Sequence, residues 1–369
     1  MGFLSWGRFS CNIDCATYPD SCINEKLYMD MIDRIVEDGY LELGYNTVNI
    51  DDCWAMKTRD PVTKRLVADR DRFPSGIKHL VNYARQRGVQ LGIYGDVGTA
   101  TCGGYPGTRS YNGSVDYTQV DARTFSDWGV GSLKLDGCYE PIADYPKVYP
   151  EYTKALSQQT HKIAFACSWP AYIDVSNLTD ADYQHIRDNC NYWRNYGDID
   201  DSWATVFSII DFYRQHVTTF AKFHGPGGWF DPDMLMIGNQ GLSFEQSKTQ
   251  MAFWSLWSAP LLMSNDLRRI RPEFKRILQN KHLIAVNQDS LGIMGHVVVA
   301  DAQAEKQVWV KQLSPDANGQ TPYIVLYFNY NTLGVPYYMS YQLSKLIPEL
   351  KTGLKYNVHD LFEDNAKIE

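Results

Sequence analysis

Five short apolar runs in the first two-thirds of this chain each end in reactive side chains. Val48-Asn49-Ile50 leads into Asp51-Asp52-Cys53-Trp54, and Leu91-Gly92-Ile93 into Tyr94-Gly95-Asp96. The run at 132–135 leads into Asp136-Gly137-Cys138, that at 163–166 into Cys167-Ser168-Trp169-Pro170, and that at 190–193 into Arg194-Asn195-Tyr196-Gly197-Asp198. Buried strands that repeatedly stop in polar chemistry, with helical sequence between them, are the plan of a parallel β/α barrel with a catalytic mouth at the strand ends. The chain reads as an enzyme.

The same alternation runs through the first 293 residues. Leu27, Met31, Ile35 and Val36 recur at helical spacing, which predicts a helix over 24–38. Further helices are expected at 76–87, 117–128, 149–159, 203–220, 244–258 and 272–279. Strands are expected at 3–6, 47–51, 89–94, 132–136, 163–168, 190–193, 227–234 and 260–264, which makes eight repeats and a closed (β/α)8 TIM barrel. An open doubly wound sheet is the rival fold, but no glycine-rich phosphate loop follows an early strand. From about Gly295 the texture changes to short β-branched and aromatic runs at 296–300, 307–313 and 323–330, with the turn-former Asp316-Ala317-Asn318-Gly319 between two of them. That predicts a C-terminal antiparallel β-sandwich over 294–369, packed on the barrel. Another strand-like run at 355–361 stands close to Glu369, so this domain is expected to lack its final strand.

A net charge of −8 without any basic stripe argues against nucleic acid or an anionic membrane surface as partner. No apolar run approaches the ~20 residues of a membrane span. The eight cysteines all lie in the first 190 residues, and sequons stand at Asn112 and Asn177. Disulfides and N-glycans both belong to the secretory route. Zinc is the alternative for the cysteines, but no Cys-x-x-Cys pair has histidines near it. The chain opens Met1-Gly2-Phe3-Leu4-Ser5-Trp6, which has no charged or long apolar leader, so the expectation is that either a signal peptide has been removed or the N-terminus is incomplete. Aromatic residues make up 14%; they suit the C–H faces of sugars, and equally a large core.

Lys134 and Asp136 are two apart on a strand, so they share a face and both point into the mouth. A lysine beside Asp136 keeps that carboxylate ionised, as a nucleophile requires. Asp198 follows Trp193 and Tyr196; desolvation by those rings would raise its pKa and keep it protonated, as a general acid requires. Two carboxyl groups with opposite pKa demands are the minimum for glycoside cleavage. The structural alternative makes Asp136 a turn residue and Asp198 a helix cap.

Lys134-Leu135-Asp136-Gly137-Cys138-Tyr139, Asn49-Ile50-Asp51-Asp52-Cys53-Trp54, Trp193 to Ile199 and Asp231-Pro232-Asp233-Met234 together resemble the eukaryotic α-galactosidase/α-N-acetylgalactosaminidase family. The match runs from Trp6-Gly7-Arg8-Phe9 to Asn287-Gln288-Asp289 and into the β domain. The resemblance implies a retaining mechanism with Asp136 as nucleophile and Asp198 as acid/base, and neither cofactor nor metal. It implies a sugar pocket lined by Trp6, Asp51, Asp52, Tyr94, Lys134, Arg194, Asp233 and Met234, with Trp54 read as core. It further implies disulfides Cys11–Cys53, Cys15–Cys22, Cys102–Cys138 and Cys167–Cys190, a homodimer, and a lysosomal or secreted location. A divalent cation held by Asp51, Asp52, Asp231 and Asp233 is the alternative, although such carboxylate sites ordinarily serve phosphates. One departure stands out: Phe230 occupies the slot where the family usually has Asn.

The segment Cys167-Ser168-Trp169-Pro170-Ala171-Tyr172 bears on the sugar. The galactosidase branch resembles Glu and Leu at the slots of Ser168 and Ala171; the N-acetylgalactosaminidase branch resembles Ser and Ala, as here. Small residues leave room beside the sugar's C2 for an acetamido group, with Tyr172 completing the segment. The smaller galactose would still fit, losing contact energy of about 1–3 kcal/mol. The expectation is cleavage of α-linked N-acetylgalactosamine with weaker action on α-galactosides. A galactosidase with lineage-specific substitutions, or a galactoside-binding protein without catalysis, are the alternatives.

Overall fold

The computed structural model describes residues 1–334, 338–350, 353–363 and 367–368. Eight parallel strands form one sheet: β1 (Gly2–Leu4), β2 (Thr47–Asn49), β3 (Gln90–Asp96), β4 (Ser132–Asp136), β5 (Ala164–Cys167), β6 (Tyr192–Arg194), β7 (Trp229–Asp231) and β8 (Leu262–Met263). Each pairs with its sequence neighbour from β1 to β7, and β8 returns to lie beside β1. A parallel bridge between Leu235, just past β7, and Met263 closes the ring. This is the (β/α)8 barrel that the repeating pattern predicts.

The helices are α1 (Trp6–Phe9), α2 (Glu25–Glu37), α3 (Ile77–Gln86), α4 (Thr118–Trp128), α5 (Tyr145–Ser157), α6 (Asp180–Asn189), α7 (Trp203–Phe220), α8 (Phe244–Leu256), α9 (Pro272–Leu278) and α10 (Lys281–Asn287). Local chemistry sets their starts. Asn24 accepts from the Leu27 N–H, Ser202 from Thr205, and Ser243 with Gln246 forms a capping box. Helix α5 begins at Tyr145, four residues before the expected start, because Pro146 falls in its first turn, where no N–H is needed. Helix α6 has no counterpart among the expected elements. Its apolar stripe is only Tyr183 and Ile186, too thin for a periodic signal, and its capping box, Thr179 with Asp182, overlaps the sequon.

Beyond the barrel, β9 (His296–Asp301), β10 (Lys306–Gln312) and β11 (Tyr323–Asn329) form a three-stranded antiparallel sheet. Trp309 and Phe328 of this sheet pack against Phe253 of α8, with ring centroids 5.4 and 5.1 Å away. A short helix, α11 (Leu343–Leu346), adds Leu346 to a small cluster with Val308 and Val310. The run expected at 355–361 contributes only β12 (Val358–His359), paired with β13 (Lys367–Ile368). Its residues 355–359 are exposed, with no core to hold a longer strand.

Candidate active site

Strand β4 delivers Lys134 and Asp136 to the mouth of the barrel, both partly exposed between fully buried neighbours. The Asp136 carboxylate accepts a 2.6 Å hydrogen bond from the Tyr94 hydroxyl on Oδ2, and one from the Ser168 hydroxyl on Oδ1. Lys134 gives its direct ion pair to Asp51, at 2.8 Å, rather than to Asp136. Burial alone would lower the pKa of Lys134, but the carboxylates of Asp136 and Asp51 reverse that and hold it protonated. Asp51 is itself pushed up to about 6 by burial, against the pull of Lys134.

Asp52 accepts from the backbone N–H of Cys53 at 2.6 Å and of Gly103 at 2.7 Å. A Cβ on Gly103 would lie 2.7 Å from the Cys53 sulfur and 2.9 Å from Asp52 Oδ2, so this approach requires glycine. Four disulfides, Cys11–Cys53, Cys15–Cys22, Cys102–Cys138 and Cys167–Cys190, tie the loops around the mouth. The Cys102–Cys138 bridge sits directly on the site: Cys102 Sγ is 3.7 Å from Asp136 Oδ2, and the Tyr172 hydroxyl lies 3.4 Å from Cys138 Sγ. The only described trio of acidic, cysteine or histidine groups close enough to share a metal is Asp96, Cys102 and Cys138, and both sulfurs are spent in that disulfide. Asp51, Asp52, Asp231 and Asp233 do not converge on such a point.

Arg194, at the end of β6, joins the opposite side. It donates to Asp198 at 3.0 Å, to Asp233 at 2.9 Å, and to the carbonyls of Tyr196 and Gly197. Asp233 is buried with φ +79° and also accepts from the Ile199 N–H at 2.9 Å. Phe230, the departure from the family pattern, points away from these groups and stacks on Phe220 at 4.5 Å. Met234 is buried, Trp6 and Ala171 are partly exposed, and Trp54 is core, with its indole N–H on the Tyr94 carbonyl. Asn112 and Asn177 are both exposed.

The environment of Asp198 corrects the expectation that rings desolvate it. Trp193 is fully buried against Phe230 and Tyr196 stacks on Phe212, so neither covers the carboxyl, whose side chain is 75% exposed. What burial remains works to raise its pKa, but the Arg194 guanidinium outweighs it, helped by Lys134, and holds Asp198 below the usual carboxylate range.

Asp96, absent from the expected site, belongs to it. It ends β3 directly across from Asp136, is 1% exposed, and accepts from the N–H groups of Gly98 (2.8 Å) and Cys138 (3.1 Å). Burial, reinforced by Asp136, raises its pKa well above that of a free carboxyl. The signal was in the sequence: a carboxylate two residues after Tyr94, on the same face of the strand.

Residues 1–289 match the family described as alpha galactosidase A, or melibiase. The chain is 46% identical over 370 residues to an alpha-N-acetylgalactosaminidase of Gallus gallus, covering 97% of this chain and 89% of that one. It is 47% identical over 315 residues to alpha-galactosidase A of Homo sapiens, covering 85% and 71%. The solved structure of an alpha-galactosidase from Saccharomyces cerevisiae superposes with a TM-score of 0.79, covering 100% of this chain and 82% of that one; at 23% identity it speaks for the fold alone. With strand ends, disulfides and sequence in agreement, the chain belongs to the melibiase family of glycoside hydrolases.

Proposed function

We propose that this protein is a retaining exo-glycosidase that releases terminal α-linked N-acetylgalactosamine from glycoconjugates and acts more weakly on α-galactosides. Asp136 attacks the anomeric carbon as the C1–O bond breaks, and Asp198 gives its proton to the departing oxygen. Asp198 then takes a proton from water, whose oxygen attacks C1 and frees Asp136. Trp6, Asp51, Asp52, Lys134, Arg194, Asp233 and Met234 bind and orient the sugar. Relatives named alpha-N-acetylgalactosaminidase and alpha-galactosidase at similar identity support the class without separating the two sugars.

The observation that carries the sugar preference is the hydrogen bond from Ser168 to Asp136. It seats a small side chain beside the nucleophile, where C2 of the sugar would lie. Its one proton being given to Asp136, the Ser168 oxygen is left to accept from an acetamide N–H. Ala171, on the same short helical turn, leaves room for the acetyl methyl. The test is kcat/KM on matched chromogenic α-glycosides. The N-acetylgalactosaminide should be the better substrate, and Ser168→Glu with Ala171→Leu should invert the order. A wild-type enzyme that prefers the galactoside sinks the assignment. Asp136→Asn should abolish turnover while sugar binding persists; unchanged turnover would remove Asp136 as nucleophile.

We place the catalytic barrel at 1–293 and a β domain at 294–369, whose sheet we read as one layer of an antiparallel sandwich. Four disulfides and two exposed sequons support passage through the secretory route to the lysosome or outside the cell. No described helix is long and apolar enough to cross a membrane. Assembly as a homodimer goes with this reading.

A further inference from the structure

Tyr139 is unlike the other tyrosines around the mouth. Tyr94, Tyr145 and Tyr149 are buried, whereas Tyr139 is 64% exposed, and its side chain has no ring or hydrogen-bond partner among the described residues. Its backbone is nevertheless fixed. Cys138 is tied by its disulfide to Cys102 and by its N–H to Asp96. Glu140 accepts a 3.1 Å bond from Arg109, and Gly98 packs so closely beneath that a Cβ there would lie 1.9 Å from the Cys138 carbonyl. Tyr139 itself is held at φ +56°, a conformation that costs a non-glycine residue energy and is tolerated where the surroundings enforce it.

A rigid backbone presenting an uncovered aromatic face is a stacking platform that loses little entropy when occupied. Three residues of chain, at most roughly 11 Å, separate it from Asp136. That keeps the ring within reach of the sugar next along the substrate. Building on the glycosidase reading above, we infer that Tyr139 forms the binding subsite for the leaving group, stacking on the apolar face of a sugar aglycone. The Tyr139 ring then selects for glycan-linked over small aglycones without touching the reacting atoms.

The test compares kcat/KM on two substrates: α-N-acetylgalactosaminyl fluoride, whose leaving group is one atom, and a disaccharide in which α-linked N-acetylgalactosamine caps galactose. Tyr139→Ala should lose about ten-fold on the disaccharide and nothing on the fluoride, and Tyr139→Phe should retain wild-type rates on both. Equal losses on the two substrates would place the ring at the reaction centre, and no loss on either would make it a bystander; both overturn the inference. The fluoride rate also reports whether the variant is folded. Wild-type protein inert on both substrates would instead overturn the glycosidase reading itself.

Discussion

Arg194 and Asp198 are joined by a 3.0 Å ion pair within a single turn of loop, so the proposed acid of the reaction rests against a permanent cation. That cation holds Asp198 below the ordinary carboxylate range in the free enzyme. A general acid must be protonated, so kcat/KM, which reports the free enzyme, should fall as pH rises through the acid range. A bound sugar removes water from Asp198 and raises its pKa, so the basic limb of kcat should lie at higher pH than that of kcat/KM. Arg194→Gln should move the limb of kcat/KM upward. Coincident limbs in the wild type, or no movement in the variant, would detach Asp198 from the acid role.

Asp96 acts through the backbone behind Asp136. It needs two acceptor oxygens, one for Gly98 and one for Cys138, and asparagine supplies only one. Asp96→Asn therefore leaves a buried N–H facing another donor, at a cost of about 1–3 kcal/mol. The loop beyond Asp136 loosens, so kcat should fall roughly ten-fold or more while KM changes little, since both Asp96 oxygens are taken up by backbone N–H groups. A variant with wild-type kcat would reduce Asp96 to a structural residue.

Much of this was legible because a barrel strand buried on both faces must stop where polar side chains begin; Asp136 and Arg194 end their strands, Asp51 follows close after β2, and Tyr94 stands near the end of β3. The ionisation of Asp198 was not. Rings close in sequence suggest desolvation, yet Trp193 packs on Phe230 and Tyr196 pairs with Phe212, and only the fold decides that. Helix α6 escaped because two buried residues make no periodic pattern. Asp96 was visible as a carboxylate two residues after Tyr94, but its register with Asp136 was not, since a pairing across neighbouring strands is not displayed by one sequence.

The buried carboxylates make stability depend on pH. Burial pushes both Asp51 and Asp231 up to about 6, above the ~3.9 of an unfolded aspartate. Between those values the folded state binds more protons than the unfolded one, so stability is fully present below the lower value and is lost as pH rises through 6. The loss from pH 5 to 7 should be on the order of 2 kcal/mol for the two groups. His224, held down at about 3 by burial, works in the opposite sense across this interval. The carboxylate contribution is therefore read by difference: relative to the wild type, Asp231→Asn should lose less Tm, or gain more, between pH 5 and 7. Parallel pH profiles for the two proteins would contradict the assignment.

Lys311 joins the C-terminal sheet to the barrel. It extends from β10, is 1% exposed, and donates to the Ser258 hydroxyl at 2.7 Å, the Val286 carbonyl at 2.7 Å and the Ser255 carbonyl at 3.2 Å. Ser255 and Val286 lie in the last turns of α8 and α10, where carbonyls lack helical partners and the helix dipole favours a cation. Burial, only slightly relieved by Asp289, pushes the lysine down to about 7. Lys311→Met keeps the stem but strands the carbonyls, and should cost about 1–3 kcal/mol. Between pH 7 and the ~10.4 of an unfolded lysine, the unfolded state binds the extra proton, so this group makes the wild type gain stability as pH rises. The gap between wild type and variant should therefore widen above neutrality in melts followed by tryptophan fluorescence, to which Trp309 and Trp257 contribute among the ten tryptophans. A variant that melts with the wild type at every pH would show that Trp309 and Phe328 hold the sheet without help.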